Sequence, residues 1–521
     1  MTRNNAYTER LSRIIFNSAD VLPDEVRNYL KKIASSNLYE AKKTILKDVN
    51  IYSFLADFLP KDYVDCLLDI LIKKPIRKKT NIPSNPPELS PELIERLKSS
   101  GMTEDEIPLM FTQMSNPGND DVFEDFGIEE YNTVFLPSAP IQGPFIYVLN
   151  KHEDEGLRLI QTLTNSAVKT WCENQHKLSL TPVPVTINLL SGERKFWGDS
   201  EVYCWYRGKV NAPYSVMSSL MALEYWMEKQ IETGRDVEEV FEKVLLGSDC
   251  VAVLGICVAM TIAYPNKCLK ALLPIISSPA VWQMDVRRLP NDLSNLKFSE
   301  EENWIYKYIN ESNQKPYRKL EIRKLAIYYL FYSNDSLRTE FEEAVAQFSE
   351  NLPFRYEEDR ENGSEIADLQ ERMENYQVYG KPENYRFRQI GEQECEWWIE
   401  PPEEIKQRNE KLLASNYEYQ RYLGLSLWAR KTIEKGRVDE RLTLEEAVKT
   451  AQEFQQPDDF SSTSEKGDSE QRWMLVANKG ASIDLRLSSS LNTVSCFRFC
   501  LRGMVLLPIK ALSKSFWINA L

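Results

Sequence analysis

One run of fourteen residues, Cys250 to Ala263 (CVAVLGICVAMTIA), limits what this chain can become more than any other stretch. It has no polar face, so as a helix it has to be covered on every side. It also falls well short of the roughly 20 apolar residues that a bilayer crossing needs, so a buried core helix is the expectation. Amphipathic patterns flank it. Val237, Val240, Phe241, Val244 and Leu245 recur at helical spacing, and Gly247 closes that segment. Ser248 and Asp249 are placed to cap the apolar run, and Tyr264-Pro265 to end it. Leu269, Leu272, Leu273 and Ile276 form the next stripe, with a bend expected at Pro274. Ser278-Pro279 opens a further helix, with Val281, Trp282 and Val286 on one side and Asp285, Arg287 and Arg288 directed elsewhere. An apolar helix between amphipathic ones is how layers of helices bury a core.

The remaining chain extends this pattern. Short stripes between residues 5 and 73, among them Leu11, Ile14 and Ile15, then Val26, Leu30 and Ile33, predict an N-terminal helical unit over 1–73. Residues 74–92, rich in proline, lysine and arginine, form a linker. A central helical domain follows over 93–350. Residues 144–176 carry one long helix or two. At Val183, Val185, Ile187 and Leu189 the period changes to two, which predicts a β-hairpin at about 183–206, with Trp197, Tyr203, Trp205 and Tyr206 in or beside its return strands. A C-terminal helical region over 351–482 contains a second alternating stretch at about 385–399. A helix after Pro401-Pro402 is expected to run towards Gly436, with another capped by Thr443 and Glu446. Residues 483–521 keep no regular period and form an irregular tail. Over residues 471–521 seven basic residues face Asp484 alone, although the whole chain carries a net charge of −14. A non-native end to the chain is the reading of that tail. The fold class is therefore mainly α, a helical bundle or solenoid-like array with one or two short β-hairpins.

Composition bounds the function. At 521 residues the chain holds roughly three or four domains, or one extended array. The acidic balance argues against a surface built to coat nucleic acid. A local nucleic-acid-binding arm at Arg77–Lys79 stays open, without an interleaved aromatic to stack on a base. Nine cysteines form no CxxC pair, which reads as buried free thiols in a reducing cytoplasm. No secretory leader is visible in MTRNNAYTERLSRII, and no membrane span is expected.

The search for catalytic chemistry is mostly negative. The sequence has no G-x-x-x-x-G-K-[ST], G-x-G-x-x-G, G-x-S-x-G or H-E-x-x-H. Without a P-loop, the chain is expected neither to bind nor to hydrolyse ATP. Two histidines, His152 and His176, leave little for a triad or a His-rich metal site. His152 lies in KHEDEG, which reads as a charged turn at a helix start. Asp120/Asp121 and Asp458/Asp459 are carboxylate pairs that a metal-dependent hydrolase or nuclease would use. No cofactor and no catalytic or metal residues are assigned. The residues marked as candidate interaction groups are Trp197, Tyr203, Trp205, Tyr206, Trp282, Asp285, Arg287 and Arg288.

The segment from Val244 to Arg288, VLLGSDCVAVLGICVAMTIAYPNKCLKALLPIISSPAVWQMDVRR, resembles part of the long helical regions of very large bacterial defence-type STAND ATPases. The resemblance is clear over the middle third at most. It implies a region that senses or transmits an activating signal, a non-catalytic scaffold with protein partners. The P-loop of that family has no counterpart here, so no nucleotide-binding residue carries over.

Overall fold

A computed structural model describes residues 2–36, 38–73, 126–129, 134–208, 210, 212–293, 304–389 and 395–411. The chain is mainly α-helical, with two short antiparallel hairpins among the described residues. It divides into two compact units, Met1–Ile399 and Glu400–Leu521. In the second, residues 403–411 are helical directly after Pro401-Pro402, where a helix start was expected. The rest of that expected helix, the one capped by Thr443 and the tail lie outside the described residues, as does the 74–92 linker.

In the first unit, α1 (Thr2–Phe16), α2 (Pro23–Ala34), α3 (Tyr39–Lys47), α4 (Val49–Phe58) and α5 (Pro60–Leu71) come in series. Proline occupies the first helical position of α2 and α5, where its missing N–H costs nothing. The expected α1 stripe is corrected. Leu11 and Ile14 are 56% and 66% exposed, while Ser12 and Phe16 are fully buried. The helix turns that side inward, where the Ser12 hydroxyl meets the Tyr29 hydroxyl at 2.9 Å and Arg13 pairs with Asp48.

Helices α6 (Phe145–Lys151) and α7 (Glu153–Lys177) take the place of the single or double helix expected over 144–176. Arg158 on α7 pairs with Asp65 on α5 at 2.8 Å, and the Tyr147 hydroxyl donates to Asp57 on α4 at 3.1 Å. These contacts carry one compact unit across the expected division near residue 73.

Strands β1 (Val185–Leu189) and β2 (Gly192–Phe196) pair antiparallel, with Val185 opposite Phe196 and Leu189 opposite Gly192. This hairpin is shorter than the 183–206 expected, and Val202 to Tyr206 are not strand. Gly198, at φ 129°, breaks the extended run in a conformation that a side chain would strain. Asp199 then accepts from the backbone N–H of Glu201 and Val202 and starts a helical turn, α8 (Ser200–Tyr203), continued as 3₁₀ over Cys204–Arg207. The aromatic spacing that resembled alternation belongs to that turn.

The remaining described helices of the unit are α9 (Tyr214–Glu232), α10 (Val237–Leu246), α11 (Ala252–Ala263), α12 (Pro265–Ile276), α13 (Pro279–Leu293), α14 (Ile305–Gln314), α15 (Ala326–Phe331), α16 (Asp335–Ala346) and α17 (Gly363–Gln377). They precede the hairpin β3 (Tyr385–Gln389) and β4 (Cys395–Ile399), which forms where the second alternation was read. Helix α11 is the apolar run, and all of its residues from Ala252 to Thr261 are buried. It packs against α8, α9, α10, α12, α13 and the 3₁₀ turns at 204–207, 316–319 and 322–325. Ser248 and Asp249 do not cap it. The Ser248 hydroxyl donates back to the Val244 carbonyl, and the Asp249 carboxylate accepts from Arg194. Residues 249–251 are instead held against the end of the first hairpin: Trp197 N–H donates to the Asp249 carbonyl and Val251 N–H to the Trp197 carbonyl. Distant segments also close on one another. Val183 N–H donates to the Arg355 carbonyl, and Glu357 N–H donates to the Thr181 carbonyl. The expected division at 350 falls inside this unit.

A Cβ on Gly255 would lie 2.6 Å from a Tyr206 ring carbon and 3.0 Å from one of Tyr203. Alanine gains roughly 1 kcal/mol of helix propensity over glycine, but overpacking costs about 1–3 kcal/mol. Gly255→Ala is therefore expected to lower the urea midpoint of the first unit. Val253→Asp, which buries an unpaired charge, lowers it much further. An unchanged midpoint in both variants would show that α11 is not central to stability.

Candidate functional site

The helical stripe that presents Val281 from α13 continues, at the same spacing, through Asp285, Arg288 and Asp292. Asp285 and Arg288 were expected on a side other than that of Val281. They are buried, with Arg288 1% exposed and Asp285 fully enclosed. Burial without partners would be prohibitive, and the partners are present. Arg288 grips Asp285 with Nε at 2.8 Å and Nη2 at 3.3 Å, pairs with Asp292, and donates to the backbone carbonyls of Arg318 and Leu320. Asp285 also accepts from the Tyr203 hydroxyl at 3.0 Å and the Ile322 N–H at 2.7 Å. Arg207 lies 3.1 Å from Asp292 through Nε and donates from Nη1 to Glu224 at 2.9 Å. Arg318 closes the set by pairing with Glu224. Three arginines and three carboxylates balance in charge, drawn from α9, α13 and two 3₁₀ turns.

The electrostatics follow from that geometry. Burial alone would raise the Asp292 carboxyl, but Arg207, then Arg288 and Arg318, hold it below the usual carboxylate range. Burial pushes up the Tyr203 hydroxyl, and the Asp285 carboxylate adds to this. Cys66, Cys172, Cys204, Cys250, Cys257 and Cys268 are free, and burial pushes the Cys204 and Cys250 thiols up to about 12, which keeps them as unreactive thiols. The arrangement fixes α13 against α8 and α9, and its charges are matched within the core, although Arg207 Nε and Nη2 and Arg318 Nε make no hydrogen bond there.

The candidate interaction residues are distributed as follows. Tyr203, Asp285 and Arg288 meet in the ionic cluster, with Tyr206 alongside under the Arg207 guanidinium at 4.5 Å. Trp205 is buried against Phe126. Trp197 is half-buried at the end of the first hairpin. Trp282 sits in a separate aromatic cluster with Phe341, Phe348, Tyr376 and Tyr379. Tyr203, Trp205, Tyr206, Trp282, Asp285 and Arg288 are core groups, so a partner meeting this conformation does not reach them. Arg287 is half-buried and faces a different neighbourhood. His152 joins α6 to α7, and the next residue, Glu153, accepts from Arg235 at 2.9 Å and Lys243 at 2.7 Å. That turn ties α7 to α10. Among the described residues no group of three or more His, Cys, Asp or Glu is placed to hold a metal ion. Asp120/Asp121, Asp458/Asp459 and Arg77–Lys79 lie outside the described residues.

Sequence reading missed Arg207, Glu224 and Arg318, which carry no motif and come together only through the fold. It also missed the surface of the second hairpin. Phe387 and Trp398 are 49% and 44% exposed there, and the Arg388 guanidinium lies 5.9 Å from the Trp398 ring. Phe331 on α15, partly exposed, lies with its ring 5.1 Å from Phe387, next to the exposed Tyr332, whereas Trp398 lies on the other face of the hairpin.

Replacing Arg288 by Met leaves Asp285 and Asp292 short of a counter-charge in the core, which costs about 3–5 kcal/mol. The loss is expected in the urea midpoint, and adding Asp292→Asn should recover part of it because the two sites are coupled. Acid acts on the same cluster. Asp292 has a lowered folded pKa, so its contribution is complete above its unfolded value and disappears as pH falls through the folded value. Asp292→Asn should therefore flatten the acid limb of the stability profile, and an unchanged limb would contradict the assignment. No family model and no curated protein sequence matches this chain.

Proposed function

We propose that this chain is a non-catalytic helical scaffold or sensor region, working through protein contacts in the cytoplasm. It would act as a part or relative of a bacterial defence-type STAND ATPase. The observation that supports this most is the set of exposed aromatics on the β3–β4 hairpin, Phe387 on the face towards Phe331 and Trp398 beside Arg388 on the opposite face. Large exposed aromatics beside arginine are the residues that anchor protein interfaces, because they bury much area and lose little side-chain freedom. Single exposed apolar residues are ordinary, but Tyr332, Phe331 and Phe387 are contiguous and Trp398 stands on the same hairpin. The hairpin is anchored by Tyr385, which is buried and donates its hydroxyl to the Tyr379 carbonyl at 3.0 Å. The resemblance of residues 244–288 supports the sensor reading, since in that family the helical region lies apart from the nucleotide-binding loop. No helix among the described residues is long and apolar enough to cross a membrane.

Two measurements test this. The purified chain should release no phosphate from ATP above the buffer rate, and saturable turnover would overturn the non-catalytic reading. Tagged chain expressed in its native cells should retain a reproducible set of proteins. The Phe387→Ser/Trp398→Ala variant, with circular dichroism matching the parent, should lose them. Equal recovery by both would remove the hairpin from the interface.

A further inference from the structure

Arg287 points away from the ionic cluster that holds its neighbour Arg288. It lies on α13 opposite α17, where Arg372 approaches it. The Gln283 carboxamide is buried between them. With its oxygen turned toward the two side chains, it accepts from Arg372 Nη1 at 2.7 Å and from Arg287 Nη2 at 3.3 Å. Two guanidiniums thus meet on one neutral oxygen. Among the described residues neither takes part in an ion pair, unlike Arg207, Arg288, Arg318 and Arg323, each of which has a carboxylate. Arg355, the next cation nearby, is already paired with Asp199.

The charges are uncomfortable as they stand. Burial, and then the Arg372 guanidinium, disfavour the charged form of Arg287, while Glu365 pulls the other way without reaching ion-pair contact. A guanidinium does not give up its proton in a protein, so the strain is relieved by an anion and not by neutralisation. Each guanidinium is a planar fork of donors that matches a tetrahedral or planar oxyanion. Gln283 fixes the two forks beside each other, and Tyr376, whose ring packs on Trp282, lies near both. Both arginines are only half-buried, so solvent reaches the pair.

We propose that Arg287, Arg372 and Gln283 form a binding site for a phosphate dianion, carried free or as the terminal group of a small phosphomonoester. Such a site needs no glycine-rich loop, so the absence of a P-loop does not bear on it. Phosphate, with two negative charges and oxygens on several sides, can accept from both forks at once.

Calorimetric titration of the full chain at low ionic strength, with inorganic phosphate and separately with phosphoethanolamine, tests the site. Saturable phosphate binding is expected, weakening as sodium chloride rises. Arg287→Gln and Arg372→Gln should each weaken it about tenfold or more, the effect of losing charge-assisted hydrogen bonds. Arg287→Lys keeps the charge without the fork and should fall between, which keeps the test valid if a glutamine variant folds poorly. Phosphate should also raise the unfolding midpoint of the parent but not of the variants. Binding of phosphate alone assigns the free anion, and binding of both probes assigns a phosphoryl group. No saturable heat with either probe, or equal affinity in parent and variants, would overturn the proposal.

Discussion

An apolar helix with no polar face has to be enclosed, and the first unit is built to enclose α11. Each residue from Ala252 to Thr261 is buried. Enclosure on all sides needs more neighbours than adjacent helices in a row supply, which is why 3₁₀ turns at 204–207, 316–319 and 322–325 also pack on it. Gly255 shows how close the wall stands, since the Tyr203 and Tyr206 rings occupy the space that a side chain would take. The hydrophobic effect supplies the drive, and glycine at the contact lets the layer with the aromatic turn close without strain.

Apolar burial does not by itself specify which turn packs where, and here polar groups add that information. The turns that roof α11 are themselves joined by charge. Arg207 and Arg318 come from two of them, Glu224 from α9, and Asp285, Arg288 and Asp292 from α13. In a desolvated setting each of these charges tolerates only its partners, so a shifted register would leave one unpaired at a cost of several kcal/mol. The buried Tyr203 hydroxyl reads the same register by donating to Asp285. Cohesion thus comes from the apolar helix, and alignment from the ions beside it.

This division explains what could be read in the sequence. The apolar run and the 385–399 alternation follow from local pattern, and both appear as expected. The first hairpin was read too long because Val202, Tyr203, Trp205 and Tyr206 carry residue types favoured in strands. The decisive signals were the break at Gly198 and the cap at Asp199. Asp285 and Arg288 were set apart from the side of Val281, although they share a helical stripe with it. That spacing was the available signal. Nothing local marks Arg207, Glu224 and Arg318 as their partners, because charge pairing across elements depends on tertiary placement.

The contrast between Arg288 and Arg287 follows from one turn of helical geometry. Adjacent residues on a helix point about 100° apart, so two consecutive arginines cannot share an environment. Arg288 enters the core and is neutralised by Asp285 and Asp292 on its own helix. Arg287 is carried round towards α17, where it meets another arginine and a neutral amide instead of an acid. Had that face served only stability, a carboxylate at 283 or 372 would pair with Arg287 and relieve the repulsion. A buried glutamine that accepts from both cations holds them together without cancelling either charge. A pair kept charged and adjacent in this way costs stability in the unliganded chain and recovers it when an anion arrives.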